Sequence, residues 1–406
     1  MTLSSSHVST SAKATDIVTP PHGLWPAILT LGMGGLFIGT GEFASMSLLP
    51  DMAQSTGVPI PVAGSYISAY ALGVVVGAPL IAALGARWER KRLLLVLLFL
   101  AVLGYVVSAC AWNQVSLLIA RFVSGLPHGA YYGVAALVAA AMVPAQRRAQ
   151  AIGYVMLGLA AANVIGVPAA TWLGQSLGWR SAFGTVGLGC VLTAVMMMLY
   201  VPRIAAEAGA SARTELEGLK SLQLWLTLGV ASIGFGGMFA VYSYITPTLT
   251  EVTGLELGSV PMALATWGVG MIVGNLVGGW LADRALIPAI FGMLVWNIVF
   301  LALFSITAKS PAWALVTLFL IGNGFALVPA LQAHLMQVAG KAQTLAAALN
   351  HSAFNASNAI GATLGGLAIA KGMGWASTGW VGGALAFAGL LVMLPVGILA
   401  SRHLRV

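Results

Sequence analysis

Residues 70–87 read YALGVVVGAPLIAALGAR, and residues 267–284 read WGVGMIVGNLVGGWLADR. At a shift of 197 residues, Gly73 and Gly77 fall on Gly270 and Gly274, so both stretches carry G-x-x-x-G within an apolar segment. The same shift superposes Leu31-Gly32 on Leu228-Gly229, Pro50 on Pro247, Leu84 and Arg87 on Leu281 and Arg284, and Gly125 on Gly322. One register that holds over four apolar segments and a loop predicts that the chain consists of two related halves.

The composition predicts that lipid, rather than water, surrounds most of the chain. Of its 406 residues, 59% are hydrophobic and only 7% are charged, whereas a soluble protein carries about 25% charge. So few charges could not cover the surface of a soluble fold of this size. The two cysteines, Cys110 and Cys190, match no metal or redox spacing, so we expect no metal site, no cofactor and no disulfide.

The apolar segments predict twelve transmembrane helices, because a bilayer core of about 30 Å needs roughly 20 apolar residues in helical form. The predicted spans are 25–49, 62–84, 92–111, 115–140, 149–173, 180–201, 222–248, 258–282, 286–307, 312–338, 343–370 and 378–400. The predicted fold class is therefore an all-α membrane protein with two pseudo-symmetric six-helix bundles. Since both halves begin on the same side, the repeat is parallel, about an axis along the membrane normal, which is the arrangement of major facilitator transporters.

The polar stretches divide the chain into five parts. We expect a polar tail over residues 1–23, a first bundle over 24–201, a linker over 202–221, a second bundle over 222–401 and a short tail over 402–406. With the N-terminus in the cytoplasm, the cytoplasmic segments hold fourteen Lys and Arg, against three in the outer loops. The positive-inside rule then predicts that both termini and the linker are cytoplasmic, in the inner membrane of the cell. The same basic residues therefore indicate orientation rather than nucleic-acid binding.

The loops after the second and eighth predicted helices carry a family resemblance. The run Leu84-Gly-Ala-Arg87-Trp-Glu-Arg90-Lys91 resembles the loop motif G-x-L-x-D-R-x-G-R-R of the major facilitator superfamily, with Ala86 and Glu89 as departures. A second copy, Gly279-Trp-Leu281-Ala-Asp283-Arg284, keeps the aspartate and lacks the basic end. The resemblance implies a gating role for Arg87, Arg90, Asp283 and Arg284.

Two further motifs narrow the resemblance. The fourth predicted helix contains Arg121-x-x-x-Gly125-x-x-x-Gly129, similar to a motif tied to proton coupling, and the fifth contains Asn163-x-x-Gly166-x-Pro168, a variant of the antiporter motif. The stretches 41–50, 125–129 and 350–355 resemble arabinose-efflux-type permeases among the drug:proton antiporters. This resemblance implies proton-driven export of sugars, nucleosides or amphipathic drugs by alternating access.

Two charged residues, Glu42 and Arg121, lie well inside predicted spans, away from their ends, where charges are costly and usually functional. Glu42 and Arg121 both lie roughly 10 Å below the same membrane boundary, so an ion pair is possible if their helices are neighbours. Their counterparts in the second half are Phe239 and Leu318, which argues against a purely architectural role. Burial disfavours a charged carboxylate and a nearby arginine favours it. Our hypothesis is that Glu42 carries the proton and Arg121 is its switchable partner; the alternative is a permanent structural ion pair.

Other polar residues in the spans have two open interpretations. His128, with Tyr132 one turn later, could relay protons or contact substrate, or could be an interior histidine at the Pro127 kink. His351, Asn355 and Asn358 form a stripe that must face the protein interior or a cavity, for substrate contact or for hydrogen bonding between helices. Weaker substrate-binding candidates are Asn163 and Asn323. Four tyrosines near outer helix ends are expected to form an interfacial belt rather than a gate: Tyr66, Tyr70, Tyr242 and Tyr244.

The sequence gives no sign of catalysis or of ATP as an energy source. It contains no G-x-x-x-x-G-K-[ST] loop and no nucleophile–base arrangement, so we expect no enzyme activity. The expected partners are a small-molecule substrate, protons and the lipid bilayer, with no nucleic acid, and the chain is expected to be a monomer. Two alternatives remain open: an uncoupled facilitator of the same fold, and a membrane sensor that does not transport.

Overall fold

The computed structural model describes residues 18–85, 87–144, 147–205, 221–338 and 343–403. Its first six membrane helices are α1 (Leu24–Ser47), α2 (Ile60–Leu84), α3 (Arg90–Ala109), α4 (Gln114–Gly125 and His128–Ala141), α5 (Arg148–Ala161, continued to Leu177) and α6 (Trp179–Tyr200). The next six are α7 (Leu222–Gly229, continued in short segments to Val252), α8 and α9 (together Val260–Thr307), α10 (Pro311–Asn323 and Leu327–Val338), α11 (Gln343–Ala370) and α12 (Ser377–His403).

The predicted count of twelve membrane helices is confirmed. Nine helical segments of the described ranges are long and apolar enough to cross a bilayer. One of them, Leu257–Thr307, contains the non-helical residue Ala285 and holds two crossings, α8 and α9. The broken helix α4 and the 28-residue helix α11 complete the twelve.

Prolines account for two differences between the predicted spans and the observed helices. The first span was expected to reach residue 49, but α1 ends at Ser47 and a separate short helix, Leu49–Thr56, begins where Pro50 removes a backbone donor. The predicted span 115–140 is interrupted at Leu126 and Pro127, because a proline ring cannot continue the hydrogen-bond ladder of the preceding turn. Residues 1–17 and 404–406 of the predicted tails and 206–220 of the predicted linker lie outside the described residues.

The two halves pack through matching glycine contacts. A Cβ atom on Gly73 or Gly77 of α2 would overlap the backbone of α4 at Phe122 or Leu126. A Cβ atom on Gly270 or Gly274 of α8 would overlap the backbone of α10 in the same way, at Phe319 and Asn323. These contacts repeat at the shift of 197 residues found in the sequence, so the duplicated G-x-x-x-G patterns are close-packing surfaces of small residues.

The first helices of the two halves differ in regularity. Helix α1 is one continuous helix of 24 residues. Its counterpart α7 is divided by two π-helical segments, Val230–Gly234 and Thr248–Val252, and by non-helical turns between them. Because π-helical insertions bend a helix, α7 is the less regular of the pair.

The halves are joined by hydrogen bonds at the end away from the termini, where α1 finishes and α2 begins, which we call the distal end. There the Thr246 hydroxyl of α7 donates to the carbonyl of Ser47 in α1 at 2.7 Å. The hydroxyls of Ser68 in α2 and Thr363 in α11 lie 3.2 Å apart. Further hydrogen bonds between the halves join Asn358 to Glu42 and Ser352 to the carbonyl of Val75. The described halves are therefore closed against each other on the distal side.

Candidate functional site

Glu42 lies inside the bundle, where the two halves face each other. Glu42 is only 4% exposed, and its carboxylate is the only one that is buried within the described ranges. Its Oε1 atom accepts a hydrogen bond of 3.2 Å from Nδ2 of Asn358 in α11. The carboxylate of the first half is therefore held directly by the second half.

His128 brings a second titratable group to the same carboxylate. Its Nδ1 atom lies 3.6 Å from Oε2 of Glu42 and 2.9 Å from the hydroxyl of Tyr70 in α2. The break in α4 at Pro127 makes His128 the first residue of the helix segment that follows. One imidazole nitrogen thus faces both a carboxylate and a phenol, so it can accept a bond from the phenol or, when it carries a proton, donate toward the carboxylate.

Arg121 does not form the possible ion pair with Glu42. Among the described residues, the only basic group within 4.0 Å of the Glu42 carboxylate is His128. The Arg121 guanidinium instead donates to the carbonyl of Gly41 at 3.1 Å and to the Ser45 hydroxyl at 3.0 Å. The guanidinium is therefore bound to the backbone of α1 and to Ser45 rather than to the Glu42 carboxylate.

The Arg121 guanidinium also packs against aromatic rings. Its central carbon lies 4.4 Å from the ring centre of Tyr70 and 5.3 Å from that of Phe183. Such cation–π contacts stabilise a charge away from water. Arg121 is fully buried, so it is attached to α1 and to its aromatic neighbours, while Tyr70 connects it to His128.

Helix α11 completes the cluster from the second half. His351 stacks on the ring of Tyr132 in α4, with centres 5.6 Å apart and planes 11° from parallel. The His351 and His128 rings lie 6.4 Å apart. The structure therefore brings together Glu42, His128, Tyr132, His351 and Asn358.

Three buried amides in this region have unused acceptors. The Oδ1 atoms of Asn163, Asn355 and Asn358 have no hydrogen-bond partner. The amide nitrogens of Asn163 and Asn355 each donate to the carbonyl four residues earlier in their own helices, Leu159 and His351. Since most buried polar atoms in proteins have partners, these oxygens are free to accept a bond from a ligand or in another conformation.

The antiporter-like motif distorts α5 at the boundary with the second half. Residues Ala162–Gly166 form a π-helical turn, and Pro168 follows it within the next two residues. A Cβ on Gly166 would overlap the Thr40 side chain of α1, and one on Gly268 of α8 would overlap the backbone of Asn163. The motif therefore lets α5 contact both α1 and α8 closely.

The other predicted residues lie apart from the Glu42 cluster. Asn323 is half-buried in α10, where its amide donates to the carbonyl of Phe319 and its backbone packs on Gly274. The loop-motif residues lie at the end that carries the termini. Arg87, Asp283 and Arg284 are exposed there, and Arg284 lies 3.9 Å from the Trp280 ring centre. Arg90 is half-buried, and its backbone amide donates to the carbonyl of Ile204.

The expected interfacial belt of tyrosines is wrong. Tyr66, Tyr70, Tyr242 and Tyr244 are all at most 1% exposed, so their rings lie inside the bundle. Tyr244 donates to the carbonyl of Ala362 in α11 at 2.7 Å. For Tyr244, the sequence signal of burial was the pair of glycines on neighbouring helices, Gly64 and Gly366, which both lie against its hydroxyl.

Sequence reasoning also missed an aromatic cluster beside Glu42. Phe43 of α1 meets two residues of α7, with ring centres 6.3 Å from Phe239 and 5.7 Å from Tyr242. Tyr242 packs on Trp267 of α8 at 4.8 Å, and its buried hydroxyl has no hydrogen-bond partner. The two halves therefore also meet through an aromatic cluster of α1, α7 and α8.

Comparison with known proteins gives consistent results. Residues 31–362 match the Major Facilitator Superfamily. The chain is 39% identical over 368 residues to "Inner membrane transport protein YdhP" of Escherichia coli K12, covering 90% of this chain and 94% of that protein. It is 33% identical over 370 residues to a "Chloramphenicol resistance protein" of Streptomyces lividans, covering 88% and 93% of the two chains.

A further relative and a solved structure agree with these matches. The chain is 30% identical over 370 residues to a "Probable sugar efflux transporter" of Helicobacter pylori G27, covering 90% and 93% of the two chains. The structure of the xylose transporter XylE from E. coli, partially occluded and inward open, superposes with a TM-score of 0.69 at 14% identity, covering 91% of this chain and 97% of that one. This likeness confirms the fold.

Proposed function

Because the chain belongs to the Major Facilitator Superfamily and is a multi-pass membrane transporter rather than an enzyme, we propose that it exports small molecules in exchange for protons. Two of its relatives are named for sugar efflux and for chloramphenicol resistance. The finer claim, proton coupling, rests on one observation: a buried carboxylate in the first half, Glu42, hydrogen-bonded to Asn358 of the second half.

The coupling follows from what that carboxylate contacts in each half. Glu42 faces Asn358 on one side and His128, with Tyr70, on the other. A change in its protonation alters the hydrogen bond between the halves, and separation of the halves alters the polarity around the carboxylate. Each event therefore biases the other, which is the thermodynamic requirement for coupling. In this cycle the halves rock about the site, substrate loads from the cytoplasm, and a proton bound at Glu42 from outside resets the carrier.

The surroundings of Glu42 favour uncharged or weakly charged amphipathic cargo. The unused oxygens of Asn163, Asn355 and Asn358 can accept bonds from hydroxyl or amine groups. The neighbouring rings of Phe43, Tyr242 and Trp267 can pack against an apolar or planar face. Sugars, nucleosides and amphipathic drugs have both kinds of surface, and the names of the relatives support the first and third classes.

The proposed location is the inner membrane, with both termini in the cytoplasm and one chain as the working unit. The excess of Lys and Arg in the segments on the side of the termini supports this orientation. The name of the E. coli relative supports the membrane. With that orientation, the distal side, where the described halves are closed, faces outward.

The test uses the full-length protein reconstituted in liposomes with an imposed pH gradient and a panel of labelled sugars, nucleosides and drugs. Wild type is compared with Glu42→Gln and with Glu256→Gln, which changes an exposed carboxylate. We expect gradient-driven accumulation in wild type and Glu256→Gln, and its loss in Glu42→Gln. Saturable flux that ignores the gradient would indicate an uncoupled facilitator, and ligand binding without flux would indicate a sensor; either result contradicts the proposal.

A further inference from the structure

Four side chains of the first half donate hydrogen bonds to the backbone of α1 along one stripe. The acceptors are the carbonyls of residues 31, 35, 38 and 41, which follow one face of the helix. The donors are Tyr131 (2.9 Å), Tyr132 (2.6 Å), Tyr105 (3.1 Å) and Arg121 (3.1 Å), in that order. All four donors are fully buried. Helix α1 is thus attached to α3 and α4 through its own backbone.

Glycines make these contacts possible. A Cβ on Gly34 would overlap the Tyr131 phenol, and one on Gly41 would overlap the Tyr105 ring. A carbonyl oxygen has two lone pairs, so it can accept the helical N–H and a side-chain donor together. The helix therefore keeps its internal hydrogen bonds while the phenols fix its position and its rotation about its axis.

The stripe has no counterpart among the described residues of the second half. At the shift of 197 residues, the positions of Tyr105, Arg121, Tyr131 and Tyr132 are occupied by Ala302, Leu318, Val328 and Pro329. Helix α7, the counterpart of α1, is interrupted by π-helical turns. A device that existed only to build the bundle would be expected in both halves. This one occurs only on the helix that carries the buried carboxylate.

Among the three phenols, Tyr105 bonds to the carbonyl nearest in sequence to Glu42. In an α-helix the backbone N–H of residue 42 bonds to the carbonyl of residue 38, which is the oxygen that the Tyr105 hydroxyl also contacts. The phenol ring lies against Gly41, the residue directly before Glu42. Loss of this hydroxyl removes one of the two side-chain donors, Tyr105 and Arg121, that hold the turn from which the carboxylate projects toward Asn358.

We propose that Tyr105 is a positioning residue for Glu42, holding the turn at Ile38 to Glu42 so that the carboxylate faces Asn358 of the other half. This inference rests on the proposed role of Glu42 in proton binding. It assigns Tyr105 a part in coupling although the phenol contacts the backbone of α1 rather than the carboxylate.

The test compares Tyr105→Phe with Tyr131→Phe in the full-length protein. Each variant loses one phenol hydroxyl that donates to an α1 carbonyl, but the Leu31 carbonyl bound by Tyr131 is about three turns from Glu42. Protonation of Glu42 is followed by infrared spectroscopy, as the carboxylic-acid band that disappears in Glu42→Gln. Proton-driven transport and substrate exchange without a gradient are measured on the same preparations.

In Tyr105→Phe we expect the midpoint pH of the Glu42 band to move by about half a unit or more. Proton-driven transport should fall about fivefold, while exchange without a gradient stays within about twofold of wild type. Tyr131→Phe should leave the midpoint unchanged. If both variants keep the wild-type midpoint, or both shift it equally, the positioning role is wrong.

Two further variants separate the possible failures. Gly41→Ala keeps the Tyr105 hydroxyl but displaces its ring. It should therefore shift the midpoint pH of the Glu42 band even if Tyr105→Phe does not fold. An unshifted midpoint in Gly41→Ala would contradict the inference. Glu42→Gln with intact proton-driven transport would overturn the proposed function itself. An inactive Glu42→Gln beside an unshifted Tyr105→Phe would overturn only the positioning role.

Discussion

The amide nitrogen of Asn358 in α11 donates a hydrogen bond of 3.2 Å to Oε1 of Glu42 in α1, joining residues 316 positions apart in the chain. Both groups are buried. The bond crosses the boundary between the two halves, so it can persist only in conformations that keep these helices together. A proton acceptor and a conformational contact are thus combined in one pair of side chains.

Removing the amide of Asn358 should weaken coupling without preventing insertion. Because a hydrogen bond to a charged group contributes about 1.5–3 kcal/mol, we expect Asn358→Ala to lower the rate of proton-driven transport about tenfold or more. The measurement is uptake into liposomes under a fixed pH gradient. Asn275→Ala, at an exposed position of α8, is the matched control and should resemble wild type. Equal rates in the two variants would contradict a role for the Asn358 bond.

Replacing the imidazole of His128 should change the pH dependence of transport. Its Nδ1 atom lies between the Tyr70 hydroxyl and the Glu42 carboxylate, so His128→Gln keeps a polar group but removes the titrating nitrogen. We expect the pH profile of transport to shift or narrow, measured as initial rates over a series of internal and external pH values. Substrate affinity under symmetric pH provides the control. An unchanged profile would assign His128 the alternative interpretation, an interior histidine at the kink of α4.

Arg121 should contribute to stability through α1 rather than through an ion pair. Its guanidinium bonds to the Gly41 carbonyl and to the Ser45 hydroxyl and packs on Tyr70. In Arg121→Leu these buried acceptors lose their donor, which costs about 1–3 kcal/mol, so the detergent-solubilised protein should denature at a lower temperature. Arg121→Lys retains the charge and loses the forked geometry, and should be intermediate. If the lysine variant denatures at the wild-type temperature, the positive charge alone accounts for the stabilisation, and the forked hydrogen bonds do not contribute.

The glycine contacts between α2 and α4 should be intolerant of a single methyl group. A Cβ at Gly77 would overlap the backbone of Leu126, whereas a Cβ at Gly133 has no atom within 4 Å. We expect Gly77→Ala to lower the thermal denaturation midpoint, at a cost of about 1–3 kcal/mol for overpacking. Gly133→Ala should be tolerated and serves as the control. Comparable stability of the two variants would contradict the close approach of α2 and α4.

Locking the distal end should stop transport reversibly. The hydroxyls of Ser68 and Thr363 lie 3.2 Å apart in different halves, so cysteines at both positions in a Cys110→Ser background should cross-link on oxidation. We expect transport to be lost when the pair is oxidised and restored by a reductant. Cysteines at Ser108 and Ser124, whose hydroxyls lie 3.4 Å apart within the first half, should cross-link without stopping transport. Full activity of the oxidised Ser68–Thr363 pair would exclude opening at this end.

Much of the fold could be predicted from the sequence, because lipid requires long apolar helices and the duplicated glycine patterns repeat at one shift. The arrangement of the site was harder to predict. The equal depth of Glu42 and Arg121 suggested a pair, but depth does not give the rotation of a helix about its axis, and Arg121 contacts Gly41 and Ser45 instead. The contacts of Asn358 and of the buried tyrosines depend on distant helices, which a single sequence does not align in space.

The measurement that tests the central claim most directly is proton movement on addition of substrate. A pH-sensitive dye in the lumen of proteoliposomes would record it for wild type, for Glu42→Gln and for the exposed control Glu256→Gln, using a substrate identified in the transport panel. We expect substrate to drive proton movement in wild type and Glu256→Gln, and none in Glu42→Gln, which should still exchange substrate without a gradient. Proton movement of wild-type size in Glu42→Gln would contradict the claim that Glu42 carries the proton.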